Sequence, residues 1–128
     1  MKNKRILVTG GSGFIGSHLT RNLVSMGADV TVLVKYKSII DNVRLSNIWN
    51  DIHVKETDLR NLDSLGPLKN QCFDIVFHLA AYNHVGDSFL HVNESLMSNA
   101  IATANLLESG IDYGRFIYTA TSEVYGFQ

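Results

Sequence analysis

The stretch Lys4–Met26, KRILVTGGSGFIGSHLTRNLVSM, decides the fold. Its apolar run Ile6-Leu7-Val8 reads as a short buried strand that feeds a glycine turn, Thr9-Gly10-Gly11-Ser12-Gly13-Phe14-Ile15-Gly16. The turn opens a helical pattern in which Ile15, Leu19 and Leu23 recur at i, i+4 and i+8. Glycines at such a turn remove the side chains that would keep a phosphate away from the backbone. The helix start then offers unpaired N–H groups and a positive dipole end. An ordinary strand-to-helix turn is the alternative for any glycine-rich segment. This one follows a strand, opens a helix and heads a βα series, which points to a dinucleotide diphosphate. Gly10, Gly13 and Gly16 stand three apart, a departure from G-x-G-x-x-G that argues for a different branch of dinucleotide binders.

Outward from this unit, apolar runs alternate with helical patterns. Strands are expected at Arg5–Val8, Val30–Val34, Ile52–Lys55, Ile75–Leu79 and Phe116–Thr119. Helices are expected at Phe14–Met26, at Leu62–Leu68 (interrupted by Gly66-Pro67) and at Asn93–Ser109. In the last, Leu96, Ala100, Ala104 and Leu107 form one stripe, and Gly110 sits at a C-terminal cap position. Between Lys35 and Asp51, Ile39, Ile40, Val43 and Ile48 could line a further helix. Strands rich in Val, Ile and Phe suit a parallel sheet covered on both faces. Right-handed crossovers then give an α/β, doubly wound sheet of order 3-2-1-4-5. The sequence runs only a few residues past the fifth strand, so an open edge and an uncovered face are expected there. We therefore expect a fragment, or a domain completed by a partner.

The 128 residues suffice for one domain, and 45% hydrophobic against 18% charged residues can bury a core. A net charge of −1 gives no ground for electrostatic capture of nucleic acid or an acidic membrane. No apolar run reaches bilayer-spanning length, and Met1-Lys2-Asn3-Lys4-Arg5 leads directly into a core strand rather than a signal sequence. The single Cys72 excludes an internal disulfide, so a cytoplasmic location is expected and the thiol is read as a small core residue.

Five motifs in order, TGGSGFIG (Thr9–Gly16), Asp58-Leu59, His78-Leu79-Ala80-Ala81, NAIATANLLE (Asn99–Glu108) and TSEVYG (Thr121–Gly126), resemble the extended short-chain dehydrogenase/reductases, specifically the NAD(P)-dependent nucleotide-sugar epimerase/dehydratase family. The resemblance covers the whole chain. It implies an NAD(P)-binding Rossmann domain over residues 1–128, incomplete relative to the family, whose members are roughly twice as long and carry a second, sugar-nucleotide domain. It implies that Gly10, Gly13, Phe14, Ile15 and Gly16 hold the diphosphate. Asp58 and Leu59 would flank adenine, with helix capping the other use for that carboxylate. Leu79, Ala80 and Ala81 would leave room for the nicotinamide ribose. Asn99 would bond backbone near the nicotinamide half or bridge a water, the alternative being a solvent-facing helix residue. His78 lies within its strand and reads as a packed histidine rather than a catalyst.

The carboxylate that would hold the adenosine ribose at the end of the second strand is replaced by Val34, followed by Lys35 and Lys37. Lysines attract a 2′-phosphate, so NADP is preferred over NAD unless the two are simply a solvated loop. For catalysis the resemblance implies that Thr121 holds the sugar 4-hydroxyl and that Glu123 serves as an acid/base in 4,6-dehydratases, acting through a 4-keto sugar. A surface charge at a strand end is the plainer reading of Glu123. Tyr36, Tyr82, Tyr113, Tyr118 and Tyr125 all lack a lysine four residues on, so the Tyr-x-x-x-Lys pair is absent. The chain is thus expected to be the cofactor-binding portion of a nucleotide-sugar dehydratase, decarboxylase or epimerase, inactive alone. Otherwise it is a catalytically silent dinucleotide-binding or regulatory module. No metal site is expected, the partner of the full-length form is a nucleotide sugar, and the open sheet edge predicts self-association or a homodimer.

Overall fold

The computed structural model describes residues 1–36 and 43–126. The apolar runs form five parallel strands: β1 (Arg5–Thr9), β2 (Asp29–Val34), β3 (Ile52–Glu56), β4 (Cys72–His78) and β5 (Asp112–Tyr118), in the order β3-β2-β1-β4-β5. The expected order is found. Helices α1 (Phe14–Ser25), α2 (Val85–Ser88), α3 (Val92–Leu96) and α4 (Ala102–Glu108) provide connections, with 3₁₀ helices at Val43–Asp51 and Leu62–Leu68.

Strand alternation divides the core in two. Ile6, Val8, Val30, Val32 and Val34 pack with Leu23 of α1 and Leu45 of the first 3₁₀ helix. On the other face, Leu7, Leu33 and Val76 pack with Leu65, Leu68, Ala102 and Leu106. Helices on both faces make the sheet doubly wound, and the central strands β1 and β2 are almost wholly buried after their first residue. Edge strand β5 pairs with β4, and several of its residues remain exposed, so the expected open face is present among the described residues. Among those residues no helix is long and apolar enough to cross a membrane.

Four expectations need correction. The expected single helix Asn93–Ser109 is α3 and α4 joined through a π turn at Met97–Ile101. Its stripe Leu96, Ala100, Ala104 and Leu107 is exposed, while Ala102, Leu106 and Ser109 face the core. The apolar spacing therefore marked the outer face. Second, in α1 the buried face is Gly16, Ser17, Thr20 and Leu23, small residues that let the helix approach the sheet; Ile15 is exposed. Third, Cys72 is exposed, because it opens β4 at the solvent end, with Sγ 3.7 Å from Asp112 Oδ2. Finally, the segment after β2 carries a 3₁₀ helix anchored by buried Leu45, with Val43 exposed, whereas Ile39 and Ile40 lie outside the described residues.

Candidate functional site

The turn after β1 has a shape that only glycine permits. Gly10 adopts φ +68°, and a Cβ there would stand 2.7 Å from the Ala80 backbone nitrogen. A Cβ on Gly16 would collide with the Gly10 carbonyl. The turn closes through Gly13 N–H to Gly10 O (3.0 Å), and α1 begins with Gly13 as its cap residue. No side chain caps that end and no acidic residue stands in its first turn, so the leading N–H groups are left for an external anion.

A cleft of about 590 Å³ opens above this turn, at the carboxyl edge of the sheet. Gly10, Gly13, Phe14, Ile15 and Gly16 line it from the turn and the start of α1. Lys35 and the pair Asp58-Leu59 line it beyond β2 and β3, and Leu79, Ala80 and Ala81 do so beyond β4. Its size suits a drug- or cofactor-sized ligand. Lys37 lies outside the described residues.

Beneath the cleft runs a buried polar chain. Thr9 Oγ1 accepts from Ala80 N–H (3.1 Å) and lies 2.6 Å from His78 Nδ1, while His78 Nε2 lies 2.9 Å from Thr103 Oγ1. Thr103 Oγ1 donates to Asn99 O (2.6 Å). One assignment satisfies every atom: Thr9 donates to Nδ1, and Nε2–H donates to Thr103. It requires neutral imidazole, which agrees with burial pushing the His78 pKa down to about 4. His78 is a packed histidine, as its place within the strand predicts.

Asn99 sits in the π turn, and its amide clamps the Tyr82 backbone. Tyr82 N–H donates to Oδ1 (2.7 Å) and Nδ2 donates to Tyr82 O (3.1 Å). It bonds backbone rather than facing solvent, and Tyr82 itself lines the cleft.

Asp58 does not cap the following 3₁₀ helix; Asn61 does, accepting from Asp63 N–H. The Asp58 carboxylate instead accepts from Arg60 Nε, Nη2 and backbone N–H. Those hydrogen bonds from Arg60, outweighing desolvation, hold its pKa at about 2. Arg60 also donates from Nη1 to both Glu94 oxygens (2.9 and 2.7 Å). Sequence reading passed over Arg60 and Glu94. The signal for Arg60 was its place two residues after Asp58; for Glu94, 34 positions further on, there was none.

The chemistry expected after β5 is not gathered into this cleft. Thr119 lines it, but Thr121 and Glu123 do not. Both are exposed, and Thr121 Oγ1 caps the short 3₁₀ helix Ser122–Tyr125 by accepting from Glu123 N–H (3.3 Å). Among the described residues no cluster of three His, Cys, Asp or Glu side chains could hold a metal.

Residues 7–128 match the family model described as GDP-mannose 4,6 dehydratase. The dTDP-D-glucose 4,6-dehydratase of Dictyostelium discoideum is 37% identical, over 96% of this chain and 30% of that protein. Among solved structures, the UDP-N-acetylglucosamine 4-epimerase of Methanobrevibacter ruminantium, in complex with UDP-N-acetylmuramic acid, superposes with TM-score 0.82 at 30% identity, covering all of this chain (100%) and 41% of that one. The Bordetella bronchiseptica enzyme WbmF in complex with NAD+ superposes with TM-score 0.75 at 25% identity, covering 95% and 37% of the respective chains. The chain spans well under half the length of the curated relatives it matches.

Proposed function

Because the chain belongs to the GDP-mannose 4,6 dehydratase family of nucleotide-sugar epimerases, dehydratases and decarboxylases, we propose that residues 1–128 form the NAD(P)-binding domain of such an enzyme, acting on a nucleotide sugar through a 4-keto intermediate. The observation that carries this reading is the glycine turn: Gly10 and Gly16 have no room for a Cβ, and the bare start of α1 faces the cleft. A bound nicotinamide dinucleotide would supply reversible two-electron oxidation of the sugar. The glycine turn would seat its diphosphate, and Asp58 and Leu59 would border its adenine. Ala80 and Ala81 would leave space for the second ribose, at a loop height set by Asn99 through Tyr82. Thr121 and Glu123 would orient the sugar hydroxyl and move its protons.

NADP is the preferred form. Lys35 follows β2 where a ribose-binding carboxylate would otherwise stand, and it borders the cleft. Titration calorimetry with both nucleotides tests the reading. We expect saturable binding of each, with Lys35→Ala weakening NADP several-fold more than NAD. Refusal of both nucleotides by folded protein would sink the assignment.

A second reading, a catalytically silent dinucleotide-binding or regulatory module, draws support from Thr121 and Glu123, which are exposed and do not line the cleft. Formation of reduced nicotinamide from a nucleotide sugar by the 128-residue chain would exclude it. The open edge of β5 supports self-association.

A further inference from the structure

Glu94 reaches the adenosine end of the cleft from α3, where the dinucleotide reading puts the 2′-position. Its Oε1 stands 3.7 Å from Lys35 Nζ, and both its oxygens accept from Arg60 Nη1. Arg60 is held in turn by Asp58. The two cations that line this end of the cleft among the described residues, Lys35 and Arg60, are thus already matched by two carboxylates. Four unit charges at one end of the cleft sum to zero.

The two carboxylates are not equivalent. Asp58 is two residues from Arg60 and accepts its backbone N–H as well as its guanidinium, so the pair is a local unit. Glu94 comes from across the cleft, is the acid closer to Lys35 by direct ion pairing, and takes its one other bond from Ser98 Oγ (3.2 Å). A 2′-hydroxyl can share this site, since a neutral hydroxyl both donates and accepts. A 2′-phosphate cannot do so without meeting the Glu94 charge or displacing it from Lys35 and Arg60.

We propose that Glu94 is a specificity-determining residue, which competes with the 2′-phosphate for Lys35 and Arg60 and so limits the preference for NADP over NAD. The proposal rests on the dinucleotide reading above.

Titration calorimetry with NADP and with NAD, comparing wild type with Glu94→Gln, tests it. The site is partly exposed, so loss of one nearby charge should tighten NADP about fivefold and change NAD less than about twofold. Adding Lys35→Ala to Glu94→Gln should abolish most of that gain, as expected of residues that act on one group. Glu94→Ala gives the same direction and guards against a local disturbance specific to the glutamine. An NADP-to-NAD ratio that stays unchanged or falls, while either nucleotide still binds, overturns this proposal alone. Failure of wild type to bind either nucleotide overturns it together with the dinucleotide reading.

Discussion

The carboxyl edge of the sheet is built in two manners. At the β1–β4 end the cleft is shaped by backbone: glycines without room for a Cβ, a buried Thr9–His78–Thr103 chain, and a two-point clamp from Asn99. At the β5 end, Thr121 and Glu123 stand on an exposed turn held only by its own local bonds: the Thr121 side-chain cap, Val124 N–H to Thr121 O and Gly126 N–H to Glu123 O. The first region has one arrangement because any other would bury unpaired polar groups or overlap atoms. In the second, the Thr121 and Glu123 side chains are exposed and make no hydrogen bond to another element among the described residues. The parts proposed for binding and for chemistry thus differ in how far the described residues fix them.

The largest expected effect probes the rigid end. Gly16→Ala should destabilise the protein by about 3 kcal/mol, because the new methyl meets the Gly10 backbone, which has no flexible end to move aside. Urea denaturation measures the loss, and nucleotide binding should vanish with it. A tolerated alanine would mean that the turn is softer than its contacts imply.

Acid acts next. Burial holds His78 at about 4, below the roughly 6.5 of an unfolded histidine. Between those values the unfolded chain binds the extra proton, so stability is full above pH 6.5 and falls as pH drops toward 4, by up to about 3 kcal/mol. Asp58, held near 2 against an ordinary 3.8, contributes stability that is lost as pH falls from about 4 toward 2, below most of the His78 window. Denaturation across this range should show the slope in wild type and lose it in His78→Gln. An unchanged slope in that variant would place the titration elsewhere.

Asn99→Ala should cost about 1–2 kcal/mol, since it strands the Tyr82 N–H and C=O. Its effect on nucleotide affinity should exceed its effect on stability if the clamp sets the height of the cleft loop. Equal effects would reduce Asn99 to a structural residue.

How far these regions were legible follows from the kind of signal each carried. Strand order came through because β1 and β2 are apolar on both faces, a pattern that only a two-sided sheet accommodates. The glycine turn came through because its chemistry is local. The α3–α4 face did not: periodicity identified a real apolar stripe at Leu96, Ala100, Ala104 and Leu107, but burial went to Ala102 and Leu106. A pattern reports that a helix has an apolar side and leaves open which side meets this core. The Arg60–Glu94 link was illegible for another reason, since 34 residues separate partners joined only by the fold.

The smallest effect is expected at the soft end, and it bears most on the contrast. Glu123 is exposed and its side chain makes no hydrogen bond among the described residues, so Glu123→Gln should change stability by less than about 0.5 kcal/mol. It should also leave nucleotide affinity unmoved, because the side chain does not line the cleft. If Glu123 transfers protons in the complete enzyme, the same variant should lower turnover there by about 100-fold while melting and NADP titration stay at wild-type values. A drop in melting temperature comparable to that of Asn99→Ala would show that the β5 turn is a packed element after all. The division between a fixed binding end and an adaptable chemical end would then fail where it is simplest to measure.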